Sequence, residues 1–273
     1  MSGFVLRSVE FDSALRVRFG HSSAVRDRTQ TILVLAHPAT PDFEPAGVGI
    51  GEGCPREYVT GESRRSVLEF LAAHRPELES RVASLADLRD WMARHRADID
   101  ENPAAFAAIE GALIDFFARQ QGLTLEESLG LPALGGRFQY SAVLGDTRPW
   151  KFWLQATLYR LAGFRDFKVK IGGDLRRDRA KLAIFKGLRK LGPIRLRADA
   201  NNLWPDAPSC IRYIRDLGAP FWALEEPVTA GDTAAQGQIA RALGVKVVLD
   251  ESLLRTDQLA GLAAIKEVAI ANI

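Results

Sequence analysis

An α/β fold in two parts is predicted for this chain: an α+β domain over residues 1–130, then a parallel β/α domain over 131–273. Three observations predict it. Val, Leu and Phe alternate with polar residues through 4–53, whereas apolar residues recur three and four apart between 64 and 120. Past a Gly/Pro-rich junction, Gly130-Leu-Pro-Ala-Leu-Gly-Gly136, strand-like and helix-like stretches alternate to the end. Gly163, Gly192, Gly218 and Gly244 each follow a helical stretch, where a left-handed C-cap is favoured.

The elements follow in order. Residues 4–53 read as a short antiparallel meander broken at Gly20 and around Pro38-Ala-Thr-Pro41. Helices are expected over 64–74, 86–95 and 103–120, the last opened by Asn102 as N-cap and Pro103 at the first helical position. Strands are expected near 138–144, 166–171, 194–199, 220–225, 246–250 and 268–273. Helices near 148–162, 175–191, 206–217, 232–243 and 256–266 separate them. Parallel strands joined by crossover helices make either a doubly wound sheet or a (β/α)8 barrel.

Composition narrows the function classes. At 273 residues and 47% hydrophobic the chain can bury a sizeable core. Its 36 Lys and Arg against 34 Asp and Glu argue against nucleic acid or a membrane surface as partner and leave a small substrate as the expectation. Homo-oligomerisation is compatible with this composition. Two cysteines, Cys54 and Cys210, are too few for a disulfide framework or a thiolate metal site, which agrees with a reducing cytoplasm. Neither a signal-peptide pattern nor an uncharged run of about 18 residues is present, so a cytoplasmic location is expected.

In both parallel architectures the active site gathers at the C-terminal strand ends. Four successive strands end in charge: Lys168-Val-Lys170, Asp199-Ala-Asn201, Glu225-Glu-Pro227 and Asp250-Glu-Ser252. Residues two apart share a strand face, so Lys168 and Lys170 project together and need anions nearby. Asp199, Glu225 and Asp250 are the candidates. Three converging carboxylates repel unless a cation neutralises them, and an all-oxygen set without Cys or His points to Mg²⁺ or Mn²⁺. A salt-bridge network of lysines and acids at a barrel rim is the plainer alternative. Arg197 shares the face of Asp199 and either contacts substrate or holds a carboxylate; Glu226 and Glu251, one step out of phase, suit a supporting role.

This order of strand ends resembles the muconate-lactonizing and o-succinylbenzoate synthase-like branch of the enolase superfamily. Gly49-Ile-Gly-Glu-Gly-Cys-Pro-Arg-Glu-Tyr58 is similar to that family's substrate-covering loop. Ala108-Ile-Glu-Gly-Ala-Leu-Ile-Asp115 and Glu127-Ser-Leu-Gly130 are similar to its last capping helices. The resemblance implies a capping domain followed by a (β/α)8 barrel that is incomplete, with strands one to six only. It implies Mg²⁺ on Asp199, Glu225 and Asp250, Lys170 as acid/base assisted by Lys168, and substrate contacts from Arg197, Asn201 and His21. Such sites pair a lysine base with Mg²⁺. Lys170 must be neutral to accept a proton, which a neighbouring Lys168 ammonium promotes. The implied reaction is removal of a proton α to a carboxylate, read as o-succinylbenzoate synthase-like syn-dehydration in menaquinone synthesis. A dipeptide epimerase or muconate-type cycloisomerase is the alternative, and a catalytically incomplete remnant a second one. The family's second lysine would fall at or beyond residue 273.

Overall fold

The computed structural model describes residues 3–21, 24–39 and 47–272, with side chains for all of these but 16–21 and 24–26. The chain divides into two compact units, one up to Gly136 and one from Arg137 onward, with Gly20, His21 and Ala24 assigned to the second.

In the first unit β1 (Phe4–His21), β2 (Ala24–Pro38) and β3 (Gly49–Gly53) form one sheet in that order, and β3 runs antiparallel to β2. Alternation buries Phe4, Leu6, Ile32, Val34 and Ala36. Behind the sheet stand α1 (Glu57–Thr60), α2 (Arg64–Arg81), α3 (Leu85–Arg94), α4 (Arg96–Glu101), α5 (Pro103–Gln121) and α6 (Leu125–Leu129). Ser63 and Ser66 cap α2 reciprocally, and Thr124 and Glu127 do so for α6.

One expected helix end needs correction here, one helix was not expected, and one N-cap is satisfied from elsewhere. Helix α2 does not stop before Pro76 but runs through it to Arg81, because Leu78 on the following turn is fully buried in the core. Helix α4 has too weak an apolar pattern to have been foreseen. Asn102 occupies the N-cap of α5, yet its side chain donates back to the Asp98 carbonyl. The free amides of Ala104 and Ala105 are instead taken by Glu62, 2% exposed, at 2.7 and 2.9 Å.

In the second unit β4 (Ser141–Leu144), β5 (Asp166–Lys170), β6 (Arg195–Asp199), β7 (Phe221–Glu225), β8 (Lys246–Leu249) and β9 (Ala269–Ala271) form a parallel sheet in sequential order. Sequential order is the winding of a barrel; a doubly wound sheet reverses direction at a switch point. Helices α7 (Pro149–Leu161), α8 (Leu175–Leu188), α9 (Ala207–Leu217) and α10 (Thr233–Leu243) connect the first five strands. Asp174, Asp206 and Asp232 cap the last three. The helix expected over 256–266 is a short 3₁₀ turn and α11 (Leu259–Leu262), since three-residue bonds such as Ile265 N–H to Leu262 O (3.0 Å) tighten the chain there.

The core packs helices on one face of the sheet: Phe167, Val169, Leu196 and Leu224 meet Phe152, Phe185, Cys210 and Ile214. Burial raises the Cys210 thiol to about 12, as for a small apolar residue rather than a reactive one. Helix α7 carries a second apolar stripe, Trp150, Trp153, Leu154, Leu158 and Leu161, that is exposed. Among the described residues no helix is long and apolar enough to cross a membrane.

Candidate active site

Strand alternation explains why charge collects opposite the core. In β5, Phe167 and Val169 enter the core, so Lys168 and Lys170 project from the other face; in β6 Leu196 and Ala198 do likewise, leaving Arg197 and Asp199. The parallel register sets Lys168 opposite Arg197 and Arg197 opposite Ala223. One level higher, Lys170, Asp199, Glu225 and Val248 form a row across four neighbouring strands. Asp250 lies two residues beyond Val248, in the bend that follows β8.

The row is buried and tightly paired. Lys168 Nζ lies 2.5 Å from Glu225 Oε1 and 3.1 Å from Asp199 Oδ2, bridging the two carboxylates. Lys170 Nζ, on a residue 9% exposed, lies 2.5 Å from Asn201 Oδ1 and 3.4 Å from Asp199 Oδ2. Arg197 Nε approaches Glu225 Oε2 at 3.5 Å, an ion-pair distance; neither atom makes a hydrogen bond. Arg197 is therefore an ion-pair partner of Glu225.

The electrostatics follow from burial and neighbours. Burial alone would lower the Lys168 ammonium, but the Asp199 and Glu225 carboxylates outweigh it and hold Lys168 above the ordinary lysine value. Burial and Asp199 raise the Glu225 carboxyl, opposed by Lys168 and Arg197. Lys168 is thus the firmly protonated neighbour expected beside Lys170.

The turns around the row use left-handed backbone, which Asn tolerates and Glu does not favour. Asn201 (φ +47°), Asn202 (φ +58°) and Glu226 (φ +37°) are the non-glycine residues with positive φ among the described residues, and all three lie at this rim. Asn201 donates its amide to Asp199 Oδ1 (3.2 Å) and its side-chain nitrogen to Glu251 Oε1 (3.5 Å). Glu226, fully buried, accepts from the amides of Asp250 (2.7 Å) and Ser252 (2.6 Å), from the Ser252 hydroxyl (2.7 Å) and from Gln236 (3.3 Å). It therefore holds the turn that carries Asp250. Burial raises its carboxyl, as it does that of Glu251, where Asp250 and Asp199 add to the effect.

The structure brings together Lys168, Lys170, Arg197, Asp199, Asn201 and Glu225. It does not bring Asp250 into a compact group with Asp199 and Glu225: among the described residues no three His, Cys, Asp or Glu stand together as a metal-binding set. The Lys168 ammonium pairs with Asp199 and Glu225, and the Asp250 turn is tied through its main chain to Glu226. The His21 side chain lies outside the described ones. The donor chemistry fits a hard divalent cation, with buried oxygens Glu225 Oε2 and Glu251 Oε2 lacking hydrogen bonds.

Comparison with known proteins bears on the fold. Residues 153–273 match the family model described as enolase C-terminal domain-like. The chain is 28% identical over 222 residues to the L-Ala-D/L-Glu epimerase of Bacillus subtilis, covering 79% of this chain and 59% of that protein. A substrate-liganded structure of the B. subtilis epimerase superposes with a TM-score of 0.84 at 24% identity, covering 100% of this chain and 74% of the other. An L-Lys-D/L-Arg epimerase of Methylococcus capsulatus is 31% identical over 230 residues, 80% of this chain and 60% of its own. A dipeptide epimerase of Enterococcus faecalis complexed with Mg and L-Leu-L-Tyr superposes with a TM-score of 0.83 at 22% identity, covering 100% and 74%. The chain thus spans about 60% of the length of the curated relatives it matches. With a sequentially wound parallel sheet, charged strand ends in Lys-x-Lys, Asp, Glu, Asp order and these matches, residues 153–273 belong to the enolase C-terminal domain-like family.

Proposed function

We propose that this chain carries the metal-assisted half of an epimerase site, which removes the proton α to the carboxylate of a dipeptide or similar N-acylated amino acid. One observation carries the reading: Lys170, Asp199 and Glu225 share one row across adjacent strands, with a protonated Lys168 beside Lys170. The expectation of o-succinylbenzoate synthase-like dehydration, and with it a place in menaquinone synthesis, gives way to its alternative, because the relatives matching 79–80% of the chain are epimerases.

Asp199, Glu225 and Asp250 would hold the cation. Mg²⁺ supplies positive charge against the second negative charge that a carboxylate develops when its α-proton leaves. Lys170 Nζ accepts the proton; the C–H electron pair stays on the substrate, and return of a proton completes the exchange. Asn201 orients Lys170, and Arg197 pairs with Glu225.

A second reading, a rim of ion pairs without turnover, has one observation in its favour: Lys168 already bridges the carboxylates and no three-carboxylate group is assembled. Two measurements separate the readings. Calorimetry is expected to show Mg²⁺ binding at millimolar concentration or tighter, weakened in Asp250→Asn, with a higher melting temperature when the metal is bound. Proton NMR in D₂O is expected to show Mg²⁺-dependent loss of the α-proton signal of L-Ala-L-Glu or another dipeptide, slowed ~10²-fold or more in Lys170→Gln. Absence of metal binding by folded protein, or full exchange in Lys170→Gln, removes the proposal.

A further inference from the structure

Behind Lys170 lies a buried charged cluster that the reaction does not use. Lys181, 2% exposed, and Asp178, fully buried, stand one turn apart on α8 with Lys181 Nζ 2.7 Å from Asp178 Oδ1. The other Lys181 contacts are the Lys170 carbonyl at 2.8 Å and Asp146 Oδ1 at 3.2 Å, so each of its three donors has an acceptor. Asp178 Oδ2 accepts from the amides of Gly172 (3.1 Å) and Gly173 (3.2 Å) and from the Tyr213 hydroxyl (2.6 Å).

The main chain leaving β5 is thereby gripped at one carbonyl and three successive amides. The Lys170 carbonyl is held by Lys181, the Ile171 amide by the Asp199 carbonyl (2.9 Å), and the next two amides by Asp178. Gly173 takes φ +84°, a conformation an L side chain resists, which lets the chain turn onto Asp178. A buried ion pair is weak evidence for stability, since apolar residues of equal volume often serve as well. What apolar residues cannot do is donate to the Lys170 carbonyl and accept from Gly172 and Gly173 at once.

We infer that Lys181 and Asp178 are positioning residues that fix the main chain from which Lys170 projects, and so set where its amine stands over Asp199 and Asn201. The inference rests on the role proposed for Lys170 for its catalytic consequence, but its structural content is independent of that role. Asp146, on the loop after β4, extends the grip to the neighbouring strand end and is shared with Arg177 at 3.2 Å.

The test compares wild type, Lys181→Met and Lys181→Arg of the full chain. Amide exchange of Gly172 and Gly173 is expected to quicken at least about tenfold in Lys181→Met, with amides of the first unit unchanged. The Lys170 ¹³Cε resonance, assigned by its loss in Lys170→Gln, is expected to move in Lys181→Met and to return in Lys181→Arg. For α-proton exchange, kcat is expected to fall about 10²-fold with KM little changed. Should Lys181→Met not fold, Asp178→Asn, which keeps the shape and one acceptor, takes its place with the same readouts. If wild type shows no α-proton exchange, the proposed reaction fails, and the amide and ¹³C readouts alone decide this inference. Unchanged Gly172, Gly173 and Lys170 signals, or changes spread equally over both units, overturn it.

Discussion

The two units bury their sheets by opposite means. In the first, β3 presents Gly49, Gly51 and Gly53 to α5: a Cβ at Gly51 would lie 2.0 Å from the Ala108 carbonyl oxygen, and one at Gly49 2.2 Å from that of Ala112. Strand and helix meet backbone to backbone, and only glycine permits it. In the second, one sheet face packs against helices, and the other carries Lys168, Lys170, Arg197, Asp199 and Glu225. Close backbone packing holds the first interface, with one hydrogen bond from the Ile50 amide to Asp115 (3.0 Å); the second face is held by charge compensation, which stabilises little and serves chemistry instead. The comparison teaches where substitution strikes: volume in the first unit, charge in the second.

The sharpest way to break the contrast is Gly51→Val. Overpacking against α5, with no flexible side chain to yield, is expected to cost about 3 kcal/mol or more in urea unfolding. An unchanged midpoint would show that β3 and α5 do not meet as closely as described.

Next in size is Lys168→Met, which changes volume little and leaves Asp199 and Glu225 facing each other. A loss of about 2–3 kcal/mol is expected, below the ~3–5 for a fully buried pair because the Lys168 side chain is 15% exposed. Millimolar Mg²⁺ should restore part of it if those carboxylates hold the cation. Equal stability with and without Lys168 would mean that charge compensation does not hold this face.

The smallest expected effect is the dependence on pH, which should differ in sign between the units. Burial and the neighbouring His95 hold His74 below the ordinary histidine value, against the pull of Asp98 and Glu77. The unfolded chain then binds the extra proton, so stability falls as pH drops below about 6.5 and levels off once the folded value is passed. Lys168, held above the ordinary lysine value, contributes stability that is fully present below about 10.4 and is lost as pH rises through its folded value. Urea midpoints should fall on the acid side in wild type and less so in His74→Gln. An identical acid slope in both proteins would take His74 out of the account.

Much of the site was legible because strand period is local. Phe167 and Val169 have to alternate with Lys168 and Lys170 whatever surrounds them, and so the charged face and its residue types could be read from the chain, whereas strand order came only with the family resemblance. The expected helix starts near 175, 206 and 232 fall within one residue of local side-chain caps, Asp174, Asp206 and Asp232. A cap that comes from afar was not legible: Glu62 reaches Ala104 and Ala105 across 42 and 43 positions, and no local pattern announces it. Pro76 misled for the same reason, since a distant core decided that α2 should continue.

The residues that face the site follow from the sequence by itself, because a period of two leaves no choice of face once the apolar positions are buried. Which carboxylate meets which lysine was decided only by the tertiary structure. Register brings Lys170, Asp199 and Glu225 into one row, and side-chain reach lets Lys168 from the level below bridge two of them. Positive-φ turns at Asn201 and Glu226 aim the loops, while Asp178 and Lys181, a turn apart on α8, grip the chain behind Lys170. These depend on strands and helices far apart in the chain arriving at fixed distances, and periodicity along one element carries no information about distance to another.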